Sequence, residues 1–291
     1  MSPRYKPVMN RPLRFALVGF GRVASRHVDA MGSMDPDHAR WVAVCDIDDG
    51  ARTVAAETLG VPTLADYETM LEEVRPDVVV LATPSGLHPQ QAVSAARAGV
   101  HVVTEKPMAT RWADGRRMVE EAAEAGVRLF VVKQQRYNPV VGALKKAIDG
   151  HRFGRIFAVQ LNVFWTRPQH YYDLAPWRGT WELDGGALMN QAIHYIDLLQ
   201  CLVGPVESVH AFTATLARRI EVEDTAMMNL RWRSGALGSV AVTMLAEPSN
   251  FESAITIIGE RGLVRLGGVA CDRVEEWRFD EPHEEDECLP T

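Results

Sequence analysis

The feature that most constrains this chain is a short apolar run, Leu13 to Val18, that passes through Gly19-Phe20-Gly21-Arg22-Val23-Ala24 into a helical pattern. Glycines at this GxGxxA spacing let the backbone turn sharply and approach a bound group closely. The start of the following helix leaves N–H groups open to negative charge. The surroundings strengthen the signal. Strands are predicted at Trp41–Cys45, Val78–Ala82, His101–Thr104 and Arg128–Val132, with helices from Val23 and at Ala51–Leu59, Pro89–Ala98 and Thr110–Ala125 between them. Strict alternation of this kind implies a doubly wound parallel sheet, an α/β Rossmann domain.

After Gln135 the texture changes. A helix at Pro139–Ile148, a strand at Ile156–Phe164 and a helix over Gly186–Leu202 precede strands at Val206–Leu216, Thr225–Trp232, Leu237–Leu245, Ala254–Ile258 and Leu263–Leu266. The short turns Arg233-Ser234-Gly235 and Glu260-Arg261-Gly262 imply hairpins, so the second half reads as an α+β domain with a large, mostly antiparallel open sheet. The expected domains are 1–135 and 136–291. Met1–Pro12 reads as a short polar arm, and the acidic end, Glu281–Glu287, as a loose segment.

Composition removes several function classes. A net charge of −7 over 291 residues, with no basic block, argues against a nucleic-acid partner. Cys45, Cys201, Cys271 and Cys288 lack the spacing of a metal site or disulfide frame, which fits reduced thiols in the cytoplasm. No apolar run approaches the roughly 20 residues needed to span a bilayer.

The second strand ends in Cys45-Asp46-Ile47-Asp48, where a carboxylate can accept hydrogen bonds from ribose hydroxyls and would repel a 2′-phosphate. The expected cofactor is therefore NAD, held by Gly19, Phe20, Gly21, Arg22, Val23 and Asp46. Two further strand ends reach the same edge of the sheet: Thr83-Pro84-Ser85-Gly86-Leu87-His88 and Thr104-Glu105-Lys106-Pro107. His88 reads equally as a helix cap or a ligand contact. In the second half, Asn190, His194 and Asp197 recur at helical spacing and form a polar face on an otherwise apolar helix. Such a stripe costs free energy unless it is hydrogen-bonded or bounds a cavity, which favours a site. Gln135-Arg136-Tyr137-Asn138-Pro139, at the domain junction, reads as either a linker or a contact to ligand.

With GFGRVA, CDID, TPSGLHP and TEKP in this order, the sequence resembles the glucose-fructose oxidoreductase, inositol dehydrogenase and MocA (Gfo/Idh/MocA) family. The resemblance places Lys106 beside the nicotinamide and the substrate hydroxyl, with an often cis bond to Pro107, and puts Glu105 on the nicotinamide ribose. It also implies cofactor contacts from Thr83, Pro84, His88, Gln135, Trp165 and Arg167. The segments Phe164–Tyr172, Trp177–Trp181 and Asp184–Leu199 resemble one branch, the UDP-N-acetylglucosaminuronate 3-dehydrogenases of bacterial surface-polysaccharide synthesis. That branch oxidises the 3-hydroxyl of UDP-2-acetamido-2-deoxy-glucuronate to a ketone. Some members recycle NADH with 2-oxoglutarate, and tetramers are common.

By this resemblance Lys106 and His194 are the catalytic residues, with the role of base open between them. Asn190 stands where many members carry aspartate. A nucleotide-sugar acid brings a diphosphate and a carboxylate, both suited to guanidinium groups, so Arg167 and Arg178 beside Tyr171 and Tyr172 are expected anchors, with Tyr137 and Asn138 near them. Members usually continue past the hairpin sheet into a C-terminal helix, which this sequence, ending at Thr291, does not carry. Two other readings stay open: a dehydrogenase of a free sugar or inositol, and a non-catalytic NAD- and sugar-binding regulator.

Overall fold

In the computed structural model, residues 11–290 are described, apart from the side chain of Glu285. The arm expected over Met1–Pro12 therefore lies, up to residue 10, outside the described residues. The chain divides into two units, one ending at Val132 and the other beginning at Lys133.

In the first unit the elements run β1 (Leu13–Val18), α1 (Ala24–Gly32), β2 (Ala39–Cys45), α2 (Asp49–Leu59), β3 (Thr63–Leu64), α3 (Tyr67–Val74), β4 (Val78–Leu81), α4 (His88–Arg97), β5 (His101–Thr104), α5 (Trp112–Glu124) and β6 (Leu129–Val131). The six strands are parallel, in the order β3-β2-β1-β4-β5-β6. Helices on both faces require central strands that are apolar on both sides, and every residue of β4 is buried. Register aligns the carboxyl ends: Val18 pairs with Cys45 and Leu81, and Leu81 with Thr104. Gly19, Asp46, Ala82 and Glu105 consequently leave the sheet along one edge, at the point where strand order reverses. Open α/β sheets bind ligands there.

The sequence reading passed over β3 and α3. A two-residue strand carries no periodic signal, and α3 is announced only by Asp66, whose side chain caps Thr69 N–H at 2.8 Å.

In the second unit, α6 (Pro139–Asp149) leads to β7 (Ile156–Phe164), the short α7 (Gln169–Asp173), α8 (Ile193–Val203), β8 (Val206–Ala214), β9 (Thr225–Trp232), β10 (Leu237–Thr243), β11 (Glu252–Gly259), β12 (Gly262–Gly267) and β13 (Arg273–Phe279). Seven strands form one sheet in the order β13-β12-β11-β7-β10-β9-β8, antiparallel except for β7 with β10. Its apolar face packs with α6 and α8 around Leu144, Leu161, Tyr195, Leu198 and Trp232.

Three expectations change here. β13 was missed because its charged residues, Arg-Val-Glu-Glu-Trp-Arg-Phe, mask the edge-strand alternation. The single helix expected over Gly186–Leu202 is instead a π turn, Ala187–Gln191, followed by α8, with Ala192 N–H donating to Ala187 O at 2.8 Å. The acidic end is tied down rather than loose: Asp286 takes both guanidinium nitrogens of Arg152 at 2.6 and 2.7 Å and the Trp277 indole N–H at 2.7 Å. The Arg152 and Trp277 contacts also hold the Asp286 carboxyl well below its usual range, despite the opposing effect of burial.

Candidate active site

The first unit carries the turn expected to receive a cofactor. Gly19 sits at φ +88°, and a Cβ there would lie 2.8 Å from the carbonyl oxygen of Ala82, so only glycine lets β1 turn this close to the end of β4. Asp46 accepts Phe20 N–H at 2.6 Å and Asp48 N–H at 2.9 Å, locking the glycine turn to the end of β2. Gly21 and Arg22 are exposed at the helix start, with Val23 half-buried behind them. This cradle of glycine backbone, helix N-terminus and carboxylate fits a dinucleotide. Asp48 is the N-cap of α2, accepting Ala51 N–H at 2.7 Å.

The loop after β5 is built around two histidines. His27, on α1, places Nε2 at 3.0 Å from Oε1 of Glu105, a partnership across 78 residues that sequence reading missed. Burial pushes the Glu105 carboxyl up, but the His27 hydrogen bond and charge, together with Lys106 N–H, leave it below its usual value. Glu105 is thus a fixed carboxylate beside Lys106, and the Lys106–Pro107 peptide is cis.

His88 is corrected. Its Nδ1 lies 2.9 Å from Pro107 O and its Nε2 2.9 Å from Thr83 O, with the ring fully buried. Both nitrogens face backbone carbonyls and the neutral ring donates to one of them, so buried His88 sits between the Thr83-Pro84 and Lys106-Pro107 loops with neither nitrogen turned toward a cofactor. Burial pushes its pKa down. Thr83 Oγ1 donates to Gln91 at 2.6 Å.

In the second unit the π turn rotates the expected polar face. Asn190 donates from Nδ2 to Asp184; His194, 9% exposed, has Nε2 at 3.4 Å from Nε2 of Gln134. Asp197 takes a paired contact from Arg136, 2.7 Å to each oxygen, with Lys133 Nζ at 3.7 Å. Gln134 was missed, one residue before the expected Gln135, which lies in the same 3-10 turn, Gln134–Tyr137.

An acidic cluster lies beneath the π turn. Glu223 accepts Leu188 N–H at 2.8 Å, while a Cβ on Gly186, at φ +85°, would sit within 2.6 Å of that carboxyl. Asp224 anchors Leu216, Ala217 and Arg218 N–H groups at 3.0 to 3.1 Å. Burial, with the nearby charges of Asp184 and Asp224, raises the Glu223 pKa against the Leu188 hydrogen bond. Only burial marks these acids, and burial is invisible in a linear sequence.

Several expected contacts are differently employed. Trp165 Nε1 donates to Ser253 at 2.9 Å and its ring meets Tyr195 edge-on, so the half-buried side chain packs against the core of the second unit. Asn138 caps α6 through Val140 N–H at 3.1 Å. Arg167 donates to Gln191 at 2.9 Å, to Thr166 O at 2.7 Å and to Asn250 at 3.3 Å, and Gln191 in turn donates to Tyr171 Oη at 3.0 Å. Arg167 therefore braces the π turn. Tyr137 is 87% exposed, whereas Tyr172 is buried. Arg178 lies against the Tyr171 and Trp177 rings, 4.3 and 4.6 Å from their centroids. Among the described residues no His, Cys, Asp and Glu cluster could hold a metal ion, and no helix is long and apolar enough to cross a membrane.

Residues 13–133 match the oxidoreductase family with an NAD-binding Rossmann fold, and residues 141–265 match the Gfo/Idh/MocA C-terminal domain. The chain is similar to the WlbA dehydrogenase from Bordetella pertussis, whose crystal structure is in complex with NADH and UDP-GlcNAcA. Identity is 57% and the TM-score 0.95, covering 97% of this chain and 84% of that one. It is also similar to a levoglucosan dehydrogenase solved with NADH and levoglucosan, at 25% identity, TM-score 0.85 and coverage of 94% and 78%. Myo-inositol 2-dehydrogenase from Thermotoga maritima is 26% identical over 87% of this chain and 74% of its own length. With both halves matched and the glycine turn, the Glu105-Lys106 loop and His194 in place, the chain belongs to the Gfo/Idh/MocA oxidoreductase family.

Proposed function

We propose that this protein is an NAD-dependent dehydrogenase that oxidises the 3-hydroxyl of UDP-2-acetamido-2-deoxy-glucuronate (UDP-GlcNAcA) to the ketone, in bacterial surface-polysaccharide synthesis. The observation that carries this reading is the likeness, along nearly the whole chain, to a dehydrogenase solved with NADH and UDP-GlcNAcA.

Bound NAD supplies the hydride acceptor. Gly19, Phe20, Gly21, Arg22 and Val23 hold its pyrophosphate against the start of α1, and Asp46 accepts hydrogen bonds from the adenosine ribose, which disfavours a 2′-phosphate. Glu105 takes the nicotinamide ribose, with Thr83, Pro84 and Gln135 alongside. As the hydride leaves C3, the hydroxyl proton must pass to a base. His194, through its imidazole, can accept it. Lys106 donates to the same oxygen and stabilises the developing alkoxide, or takes the proton itself when deprotonated. Asn190 positions a sugar hydroxyl without taking a proton. Arg167, Tyr171, Tyr172, Arg178 and Tyr137 contribute to holding the nucleotide sugar, and 2-oxoglutarate reoxidises the bound NADH.

The protein works in the cytoplasm as a homo-oligomer, a tetramer or dimer. Supporting this, Phe212 and Met227 oppose each other on the outer sheet face, 73% and 47% exposed, and all four cysteines are free thiols.

The deciding experiment mixes purified protein, NAD and UDP-GlcNAcA, with and without 2-oxoglutarate, and follows 3-keto sugar and 2-hydroxyglutarate. Product formed by the wild type and lost in Lys106→Ala and His194→Ala supports the reading. Turnover of a free sugar or inositol with no inhibition by UDP replaces it with a free-sugar dehydrogenase, the reading favoured by the inositol and levoglucosan relatives. Binding of NAD and sugar without any turnover leaves a regulator.

A further inference from the structure

In the first unit a carboxylate follows a strand on either side of the glycine turn. Along the sheet the order is β2-β1-β4-β5, so Asp46 leaves after β2 and Glu105 after β5, three strand spacings or about 14 Å apart, with Gly19 between them. A dinucleotide laid across this edge with its pyrophosphate at the turn has one ribose on each side, and each ribose offers a pair of hydroxyls to a carboxylate.

Both carboxylates are oriented by the glycine turn and the helix it opens. Asp46 accepts Phe20 N–H, from the turn itself, at 2.6 Å. One oxygen of Glu105 lies 3.0 Å from Nε2 of His27, on α1, and the other accepts Lys106 N–H at 3.2 Å. The core face of α1 sets this contact up. Ala24 and Val28 lie in one apolar cluster with Val80 of β4 and Val103 of β5, and half-buried His27, three residues on from Ala24, stands at the margin of that face beside the loop after β5. A carboxylate only accepts, so the contact requires a proton on Nε2 and His27 is the donor. With roughly four lone-pair sites on its two oxygens, Glu105 keeps room for two ribose hydroxyls while His27 fixes its rotation.

We infer that His27 is a positioning residue for hydride transfer: by donating to Glu105 it fixes the carboxylate that holds the nicotinamide ribose, so that one helix and its turn align both riboses of NAD and, through the second, the ring beside Lys106. The inference rests on the NAD-binding part of the reading above and is independent of the sugar. His27 touches neither the cofactor nor the reacting atoms; its effect passes through Glu105.

The test titrates wild type, His27→Ala, His27→Gln and His27→Asn with ADP, ADP-ribose and NADH. ADP lacks the second ribose, whereas ADP-ribose carries it without the nicotinamide. In His27→Ala, loss of the donor weakens ADP-ribose and NADH about tenfold and leaves ADP as in wild type. The amide nitrogen of glutamine reaches the place of Nε2 and returns both affinities toward wild type; the shorter asparagine does not. With UDP-GlcNAcA as substrate, kcat falls about tenfold or more in His27→Ala and His27→Asn while KM for the sugar stays unchanged, because a misaligned ring reacts slowly. Equal weakening of ADP and ADP-ribose would make His27 a support of α1 alone and overturn the inference. Unchanged affinities in His27→Ala, or identical behaviour of the glutamine and asparagine variants, overturn it as well, and the glutamine and asparagine pair decides if His27→Ala does not fold. The titrations need no turnover: a wild type that binds NADH and ADP-ribose but leaves UDP-GlcNAcA unchanged removes the nucleotide-sugar reading and not this inference, whereas one that binds no NADH removes both.

Discussion

Glu223 accepts the backbone N–H of Leu188 at 2.8 Å, and through that one bond a loop ahead of β9 holds the start of the π turn that carries Asn190 and leads into His194. Glu223→Ala leaves that N–H without its buried acceptor, and we expect a loss of about 1–2 kcal/mol in urea unfolding. We also expect turnover to fall by roughly the same factor that one misplaced hydrogen bond implies, about tenfold, with NADH affinity unchanged. Glu223→Gln keeps the acceptor and restores turnover. Because the folded carboxyl has a raised pKa, its contribution to stability is full below about pH 4.5 and is lost as pH rises through the raised value. The Gln variant should therefore gain thermal stability over wild type at pH 8 and not at pH 4.

The second prediction concerns Asp197. Its carboxylate is held by Arg136 and approached by Lys133, so its role is to tie the 133–137 segment to α8. Asp197→Asn should lower the melting temperature while leaving the acid limb of the kcat/KM profile where it was. A shift of that limb would make Asp197 a partner of the catalytic base.

Gly19→Ala tests the cofactor cradle. The new methyl would sit 2.8 Å from Ala82 O on a backbone at φ +88°, and both effects push the turn away from β4. NADH affinity, read by nicotinamide fluorescence, should fall at least about tenfold, as expected for strain of roughly 1–3 kcal/mol released by opening the turn. UDP binding should stay as in wild type.

His88 makes a pH prediction of the opposite sign to Glu223. Burial lowers its pKa below the unfolded value of 6.5, so the unfolded chain takes up the proton first as pH falls. Its contribution is complete above pH 6.5 and declines as pH drops toward the folded value. The melting temperature of wild type should fall more steeply between pH 7 and 5 than that of His88→Gln; equal slopes would mean that the ring is not buried neutral.

What could be read from the linear chain was whatever local chemistry specifies. β1 with its glycine turn, Asp46 at the end of β2 and the Glu105-Lys106 loop after β5 follow from short apolar runs and residues that only particular turns accept. The alternation of strands and helices then leaves few topologies, and the six-stranded parallel sheet is one of them. The second sheet was legible as hairpins but not in its order. β7 lies between β11 and β10, parallel to one and antiparallel to the other, a pairing decided by burial against α6 and α8 and not by any turn.

Tertiary structure alone decided how the polar groups are partnered. The sequence placed Asn190, His194 and Asp197 on one helical face, but an i+5 hydrogen bond from Ala192 opens the helix into a π turn, and each of the three meets different neighbours. His27 reaches Glu105 across 78 residues and Glu223 reaches Leu188 across 35. Buried polar atoms must find partners wherever the packed chain supplies them. Side-chain type and spacing therefore mark where chemistry is possible, while distant packing determines which of those groups remain available to a ligand and which are consumed in holding the others.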